Sequence, residues 1–560
     1  MSSQPNALGR LGDRLVALGK LSDEQLQVAL KEQRRFHRPV GEIVVSLGFV
    51  AEEDVTRLLA EDMGLAFVAA AECEPDPLIL SAVDPEFVRA SGAFPYQLRD
   101  GVLKVVMLDP GDPRRVALVR ERFPYRLELA LTTGRDLDAL TRRYLQASSC
   151  HLSDALADME SLDDPGLSVE KIADAILTDA INRHATDIHI EPEENLARLR
   201  YRIDGMLQSG ESLPAAITPA IVSRFKVIAK LDVSERRRPQ DGRIRISLGE
   251  QALELRVSIM PSTHGENLVL RILDSAAGGG VPRLAAMGIN PHTQSILKTI
   301  TQRPHGLFLV TGPTGSGKTT TLYGMLGMVD ALRRNVATIE DPVEYQMPLL
   351  RQSQVDPSIG FTFHEGLRSL LRQDPDVILI GEIRDEETAN MAVKASMTGH
   401  LVLSTLHTNS ALGAVPRLVD IGIESYLVED SLIGAMGQRL VRKVCGECAE
   451  ERALTEEETN WFGENPPLLV RQGAGCERCN DTGLHGRTAI IELFMPDDAM
   501  AEAIRKGGSH GMLESLALES GFSPLEEDGK RLVAEGVTTM NEVMRVSASH
   551  RLSEAERGDL

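Results

Sequence analysis

The chain has 560 residues, 42% apolar and 25% charged, a balance that excludes a disordered or fibrous protein; at roughly 100 to 200 residues per domain, the length also excludes a single small module. Its 60 Lys plus Arg stand against 82 Asp plus Glu, a net charge of −22, which disfavours general binding to nucleic acid or anionic lipid. No apolar run reaches the roughly 18 residues of a membrane span and MSSQPNALGR lacks a signal-peptide core, so a cytoplasmic protein is expected; of the six cysteines Cys73 and Cys150 stand alone, and the other four, in two late pairs, favour metal binding over disulfides there.

Residues 1–65 are predicted to form a helical repeat module. The pattern beginning Arg10-Leu11-Gly12 recurs 29 residues later, and Gly12, Leu15, Gly19, Leu21, Leu26 and Leu30 correspond to Gly41, Val44, Gly48, Val50, Val55 and Leu59, spacings that suit short amphipathic helices. Ser22 and Gln25 read as a capping box. Residues 66–145 read as a small α/β subdomain, with the strand GVLKVVML closed by the turn signal DPGDP. The acidic, weakly periodic stretch 146–168 reads as a linker.

Over 169–275 a helix, VEKIADAILTDAINRHA, leads into DIHIE, ARLRYRID, GRIRISL and ALELRVSI. Their period of two predicts an antiparallel sheet with one wet face, interrupted by a helix near 214–231. The glycine-rich SAAGGGVP gives a second linker at 276–283, expected to act as a hinge. From 284 to 560 the continuously apolar segments GLFLVT, NVATIE, DVILIGE and HLVLSTL alternate with helices, the texture of a parallel sheet buried on both faces. The expected fold class is multidomain α/β: a helical plus α/β amino-terminal domain, an antiparallel-sheet α+β middle domain and a parallel-sheet nucleotide domain.

Gly312-Pro313-Thr314-Gly315-Ser316-Gly317-Lys318-Thr319 follows the strand LFLVT and opens a helix over TTLYGMLGMV, with Thr320 next in line. In that context the pattern is a phosphate loop: the glycines let backbone N–H groups turn toward phosphates, Lys318 reaches the β and γ phosphates of ATP, and Thr319 offers its hydroxyl to Mg²⁺. Hydrolysis needs a carboxylate to orient water, and Glu340 and Glu382 are the candidates at strand ends. Gly381 stands where many phosphate-loop enzymes carry a metal-binding Asp, so Mg²⁺ would rest on Thr319, phosphates and water, with help from Glu340 or Asp341. His400 and His407 bracket LVLSTL; they are either bystanders or hydrogen-bonding partners of phosphate or carboxylate. The pairs Cys445/Cys448 and Cys476/Cys479, separated by 27 residues, offer four thiolates for a closed, structural tetrahedral Zn²⁺, with free buried thiols as the alternative.

These segments together resemble the ATPases of type II secretion and type IV pilus assembly, specifically the extension motors. The resemblance rests on the phosphate loop, TIEDPVEY (338–345), DVILIGE (376–382) and TGHLVLSTLHTN (398–409), and on ATDIHIEP (185–192), RYRIDG (200–205), RPQDGR (238–243) and RVSIMPSTHGENLVLRIL (256–273). It implies a RecA-like ATPase domain over 284–560 with a zinc-binding subdomain at 440–490, a PAS-like second amino-terminal domain over 169–275, and a homohexamer. Arg256 and Arg271 would complete the nucleotide site, with Arg384, Arg417 and Arg487 as further candidates; surface arginines are the alternative reading. The four-cysteine loop resembles that of secretion and extension motors rather than retraction motors. Residues 10–33 resemble the first motif of a module that binds cyclic di-GMP, with Arg10, Leu11 and Gly12 as contacts; the alternative is docking on a platform protein or its cytoplasmic partner. The implied function is a motor that hydrolyses MgATP to assemble a pilus or pseudopilus, cytoplasmic and held at the inner membrane through partners. The rivals are a nucleotide-binding scaffold with little hydrolysis and a nucleic-acid translocase, the latter disfavoured by charge.

Overall fold

The computed structural model describes residues 11–141, 144, 152, 154, 156, 165–248, 251–273 and 284–547, in two compact units, Met1–Gly280 and Val281–Leu560. Arg10 and the expected hinge at 276–283 lie outside the described residues.

In the first unit the repeat becomes the helix pairs Leu11–Ala17 with Asp23–Phe36, and Val40–Ser46 with Glu52–Met63. The capping box forms, Gln25 N–H donating to Ser22 Oγ at 3.2 Å and Ser22 N–H to Gln25 Oε1 at 2.9 Å. The repeated glycines do two separate jobs. Gly19 and Gly48 take positive φ, 66° and 70°, at the turns. Gly12 and Gly41 mark close helix contacts: a Cβ on Gly12 would fall 2.4 Å from Leu26 Cδ1, and one on Gly41 3.1 Å from Val55 Cγ1.

The next sheet has the order β1 (Ala66–Phe67), β4 (Arg126–Leu131), β3 (Val102–Met107), β2 (Ala93–Arg99), with only the β2–β3 pair antiparallel. In DPGDP, Asp112 caps helix Pro113–Arg122 by accepting from Arg114 N–H. Part of the linker reading needs correction. Leu152 is buried in the core of the middle domain beside Ile172 and Ile176, and Leu156 packs on it, so an apolar pair at i, i+4 carries the packing within an acidic stretch. The following helix starts at Pro165.

The middle domain is a wholly antiparallel six-stranded sheet, β7-β6-β5-β10-β9-β8. Its strands are β5 (Ala185–Pro192), β6 (Leu196–Ile203), β7 (Met206–Pro214), β8 (Gln240–Leu248), β9 (Gln251–Ser262) and β10 (Gly265–Leu273). Alternate residues such as Ile188, Ile190, Leu199, Leu268 and Leu270 share a core with helices Pro165–Asn182 and Thr218–Ile228, as the period of two requires. Lys226 is fully buried there, its ammonium 2.7 Å from Glu266 Oε1 and donating to Glu235 O at 2.6 Å.

The second unit is built on a seven-stranded sheet, β13-β12-β14-β15-β11-β16-β19. These strands are β11 (Gly306–Thr311), β12 (Val336–Glu340), β13 (Arg351–Gln354), β14 (Val377–Ile380), β15 (Leu401–Leu406), β16 (Leu432–Val444) and β19 (Leu484–Phe494). All pairs are parallel except β16–β19. Leu307, Leu309, Ile339 and Val402 enter one core while Phe308, Val310, Val336 and Leu403 enter another, so alternate residues of the same strands are buried on opposite faces. Between β16 and β19 lies a two-stranded insertion, β17 (Ala449–Ala453) with β18 (Leu469–Gly473).

The carboxy-terminal helix Met540–Ser547 is held on β16 by a buried carboxylate. Glu542 accepts from Arg442 Nη2 at 2.6 Å, from Arg442 N–H at 3.1 Å and from Arg545 Nη2 at 2.8 Å. Burial alone would raise the Glu542 pKa, but these arginine hydrogen bonds outweigh it and bring it from 4.5 down to about 2. A depressed carboxylate contributes stability above its unfolded pKa and loses it as pH falls through the folded value. The second unit should therefore lose stability between pH 4.5 and about 2. Glu542→Gln should flatten that part of the profile and cost about 3 kcal/mol at neutral pH, measured by urea unfolding.

Candidate functional site

The phosphate loop sits at the carboxyl end of β11, the strand flanked by β15 and β16. Gly312, Gly315 and Gly317 have φ of 147°, 81° and 86°, conformations that turn successive N–H groups inward. Helix Lys318–Leu326 starts with Gly317 at its cap and no side-chain cap bond. Its first intrahelical bond, Thr321 N–H to Gly317 O, leaves the preceding N–H groups for an anion. Lys318 donates to Gly312 O at 2.8 Å and Pro313 O at 3.0 Å. Burial presses its pKa from 10.5 down to about 8, with Glu382 opposing and Arg439 adding to the effect. A bound triphosphate would oppose that shift and favour the ammonium. Ser316 Oγ is buried without a partner, a further polar atom suited to a ligand oxygen. Thr319 is exposed, and its hydroxyl is the protein oxygen at the helix start that fits Mg²⁺ beside phosphate and water.

Glu382 follows β14 and lies beside the loop. Its backbone is fixed on both sides, Gly381 N–H donating to Ile339 O at 2.8 Å and Ile383 N–H to Thr405 O at 3.1 Å. Its carboxylate is 2.6 Å from Arg384 Nη2 and 3.5 Å from His407 Nε2. Burial lowers the His407 pKa, nearby Lys318 lowers it further, and Glu382 opposes. This gathers Lys318, Glu382, Arg384 and His407 at the carboxyl ends of the neighbouring strands β11, β14 and β15. Glu340 is different: it is 2% exposed, and its carboxylate accepts from Tyr323, from Thr338 Oγ1 at 2.5 Å and from Gln352 Nε2 at 3.3 Å. Those bonds tie the end of β12 to the helix after the phosphate loop.

His400 requires correction. β11 and β15 are parallel, with Gly306 opposite Leu401 and Thr311 opposite Leu406. His400 therefore precedes β15 at the far end of the sheet, where its Nδ1 is 2.9 Å from Ala395 O. The separation from the phosphate loop is about six residues of strand, or roughly 20 Å, because the two histidines stand at opposite ends of one strand.

Arg256 and Arg271 belong to the first unit. They are direct cross-strand neighbours in a row that runs Arg243, Arg256, Arg271, Asp187, Arg202 over five strands. Asp187 accepts from Arg271 Nε at 2.8 Å and lies 3.8 Å from Arg202 Nε; Arg256 Nη2 is buried without a partner. Like charges placed opposite each other oppose pairing, so the row is an anion-seeking surface. Arg417 is exposed on helix Ala414–Ile421, and Arg487 pairs across from Arg442.

Two residues that sequence reasoning did not single out, Gln438 and Arg439 on β16, also reach the site. Gln438 bonds the phosphate loop, and Arg439 Nη2 donates to Asn409 O at 2.7 Å, just beyond His407. Their signal was a polar pair inside the otherwise apolar run LIGAMGQRLV.

The family model for the type II/IV secretion system protein matches residues 163–545. The chain belongs to the type II/IV secretion system protein family. Among its relatives, the type IV pilus assembly ATPase PilB of Myxococcus xanthus is 37% identical, covering 97% of this chain and all of that protein. The type II secretion system ATPase E of Vibrio cholerae is 45% identical, over 70% of this chain and 77% of that protein. As a member of this family, the chain is an ATPase. The ATPase DotB of Legionella pneumophila shares the fold at 19% identity and a TM-score of 0.50, covering 67% of this chain and 95% of that chain. A second model, the MshEN domain, matches residues 63–149 and so covers the small α/β subdomain rather than the helical repeat.

The secretion-family chain also brings its four late cysteines together. Their sulfurs lie within 4.8 Å of one another, with Cys445–Cys476 at 3.8 Å, Cys448–Cys479 at 3.9 Å and Cys476–Cys479 at 3.7 Å. Tetrahedral zinc with Zn–S of about 2.3 Å needs sulfurs about 3.8 Å apart, whereas a disulfide needs about 2.05 Å. Backbone N–H groups of Gly475, Cys476 and Gly483 point at the sulfurs of Cys448, Cys479 and Cys479, at 3.3, 3.2 and 3.2 Å. The donor set fits a four-thiolate structural Zn²⁺ with no open position. Metal analysis should return about one zinc per chain, and chelation should lower the thermal midpoint and unfold the insertion. Full retention of stability after verified zinc removal would refute a structural ion.

Proposed function

We propose that the chain is a hexameric motor ATPase that hydrolyses MgATP to drive assembly of a pilus or of a type II secretion pseudopilus. The observation that carries the reading is the placement of Glu382 and His407 at parallel strand ends beside Lys318, in a chain matched end to end by a pilus assembly ATPase. Lys318 binds the phosphates. Glu382 orients the attacking water, with Arg384 and His407 holding its carboxylate. Glu340 acts through its bond to Tyr323, carrying movement of the phosphate-loop helix to β12. Mg²⁺ held near Thr319 would neutralise phosphate charge. Arg256 and Arg271 supply positive charge toward a nucleotide within the hexamer, as the unpartnered Arg256 Nη2 supports.

Among the described residues no helix is long and apolar enough to cross a membrane. Attachment to the inner membrane would thus run through a platform protein and its cytoplasmic partner. The four-cysteine cluster favours extension over retraction. Lys318→Ala should abolish tight ATP binding, while Glu382→Gln should keep binding and lose about a hundredfold or more in turnover, measured by calorimetry and phosphate release. Unchanged turnover in Glu382→Gln would remove it from the water-orienting role, and a wild type that binds but does not hydrolyse, even with its membrane partners, would favour the scaffold reading.

For the amino-terminal unit the proposed ligand is cyclic di-GMP, supported by Arg10-Leu11-Gly12 and by the adjoining MshEN match. Gly12 is buried against Leu26, which leaves Arg10 as the contact of that motif able to meet phosphate. Titration of the full chain should show binding at or below about 10 µM, weakened about tenfold by Arg10→Ala; no binding at that level would leave platform docking as this unit's role.

A further inference from the structure

We propose that Gln438 is a positioning residue that sets the direction of the phosphate loop's backbone; this rests on the nucleotide reading above. Gln438 is 0% exposed, on β16 and 122 residues from the loop it touches. Its Nε2 donates to Ser316 O at 2.8 Å, and its Oε1 accepts from Thr321 Oγ1 at 2.7 Å. Because a carbonyl only accepts, the amide nitrogen must face Ser316. The side chain thus spans the start of helix Lys318–Leu326, from the residue before its glycine cap to its first turn.

The consequence follows from peptide planarity. Within one peptide unit the C=O and the next N–H point in opposite directions. Pinning Ser316 C=O toward β16 therefore turns Gly317 N–H the other way, toward the concavity where phosphate binds. Gly317 has φ of 86° and no side chain to resist a flip of that unit, so the restraint must come from elsewhere. The fit is close: a Cβ on Gly317 would fall 2.7 Å from Gln438 Nε2, and one on Gly312 2.6 Å from Gln438 O. The side-chain amide thus crowds Gly317, and the backbone of the same residue crowds Gly312. Without the restraint, the unit could rotate and aim a carbonyl oxygen at phosphate, replacing attraction with repulsion. That penalty acts on nucleotide binding before any chemistry.

The test uses the full chain with MgADP and MgATP. Gln438→Met keeps size and removes both hydrogen bonds. The expected result is a Kd for MgADP weakened about tenfold and KM for ATP raised similarly, with a kcat loss no greater than about threefold. The thermal midpoint of the nucleotide-free protein should fall by no more than about 3 °C. A merely structural role would lower the midpoint without that split. An unchanged Kd, or a kcat loss with Kd unchanged, overturns the proposal. If Gln438→Met does not fold, Thr321→Val decides: it removes one of the two bonds and should weaken MgADP about two- to threefold, and no change there would also overturn the clamp. A wild type that binds no MgADP removes the nucleotide reading and the clamp with it. Equal binding by wild type and Gln438→Met removes the clamp alone.

Discussion

Parallel pairing of the strands in the second unit is the constraint from which the site follows. When β12, β14, β15, β11 and β16 run the same way in register, a strand can serve the phosphate loop only from its carboxyl end or from a long side chain reaching across. Glu382 and His407 satisfy the first condition, Gln438 and Arg439 the second. The pairing is itself held by burial on both faces, since alternate residues of β11 enter separate cores. A change that slipped one strand by a residue would exchange its two faces and also carry its terminal side chain out of reach. Stability and the placement of these side chains share one register.

The first unit meets a different constraint. Its antiparallel sheet spends one face on packing and leaves the other wet, and a row of arginines crosses that wet face with Asp187 among them. Asp187 is 5% exposed, so it restrains Arg271 and Arg202 from within rather than as a solvated counterion. The opposite face buries Lys226 against Glu266 and the Glu235 carbonyl, which fixes the start of the exposed arginine run at 236–238. Both faces therefore carry charge, one inside the core and one outside it.

Features that depend on near neighbours were legible in the sequence. The glycine-rich loop between strand and helix, the Ser22 capping box, the paired cysteines and the period-two strands each arise within a few residues, and each takes the local shape read from it. Features that depend on chain direction or distant contact were not. His400 and His407 look equivalent on either side of LVLSTL, and only the pairing of β15 with β11 separates them. Gln438 meets Ser316 across 122 residues, which no local pattern encodes. Leu152 lies in a stretch whose acidity reads as solvated, yet two apolar residues at helical spacing suffice to dock it. The repeat glycines carried a real signal, but its meaning at Gly12 and Gly41 is close helix packing.

The four-cysteine insertion branches from the sheet through a narrow neck. It leaves the sheet at Val444 and returns at Leu484, residues that face each other across β16 and β19, and the first and last pairs of thiols stand immediately inside those two points. The thiol cluster is thus a clasp at the neck of a side branch. The β17–β18 pair beyond the neck is not free: Val470 on β18 shares a small core with Val533 and Val543, and Trp461 and Phe462 pack against it. The branch therefore rests on the helix Met540–Ser547 that Glu542 fastens to β16, so loosening the clasp would be felt at the sheet, well away from the thiols.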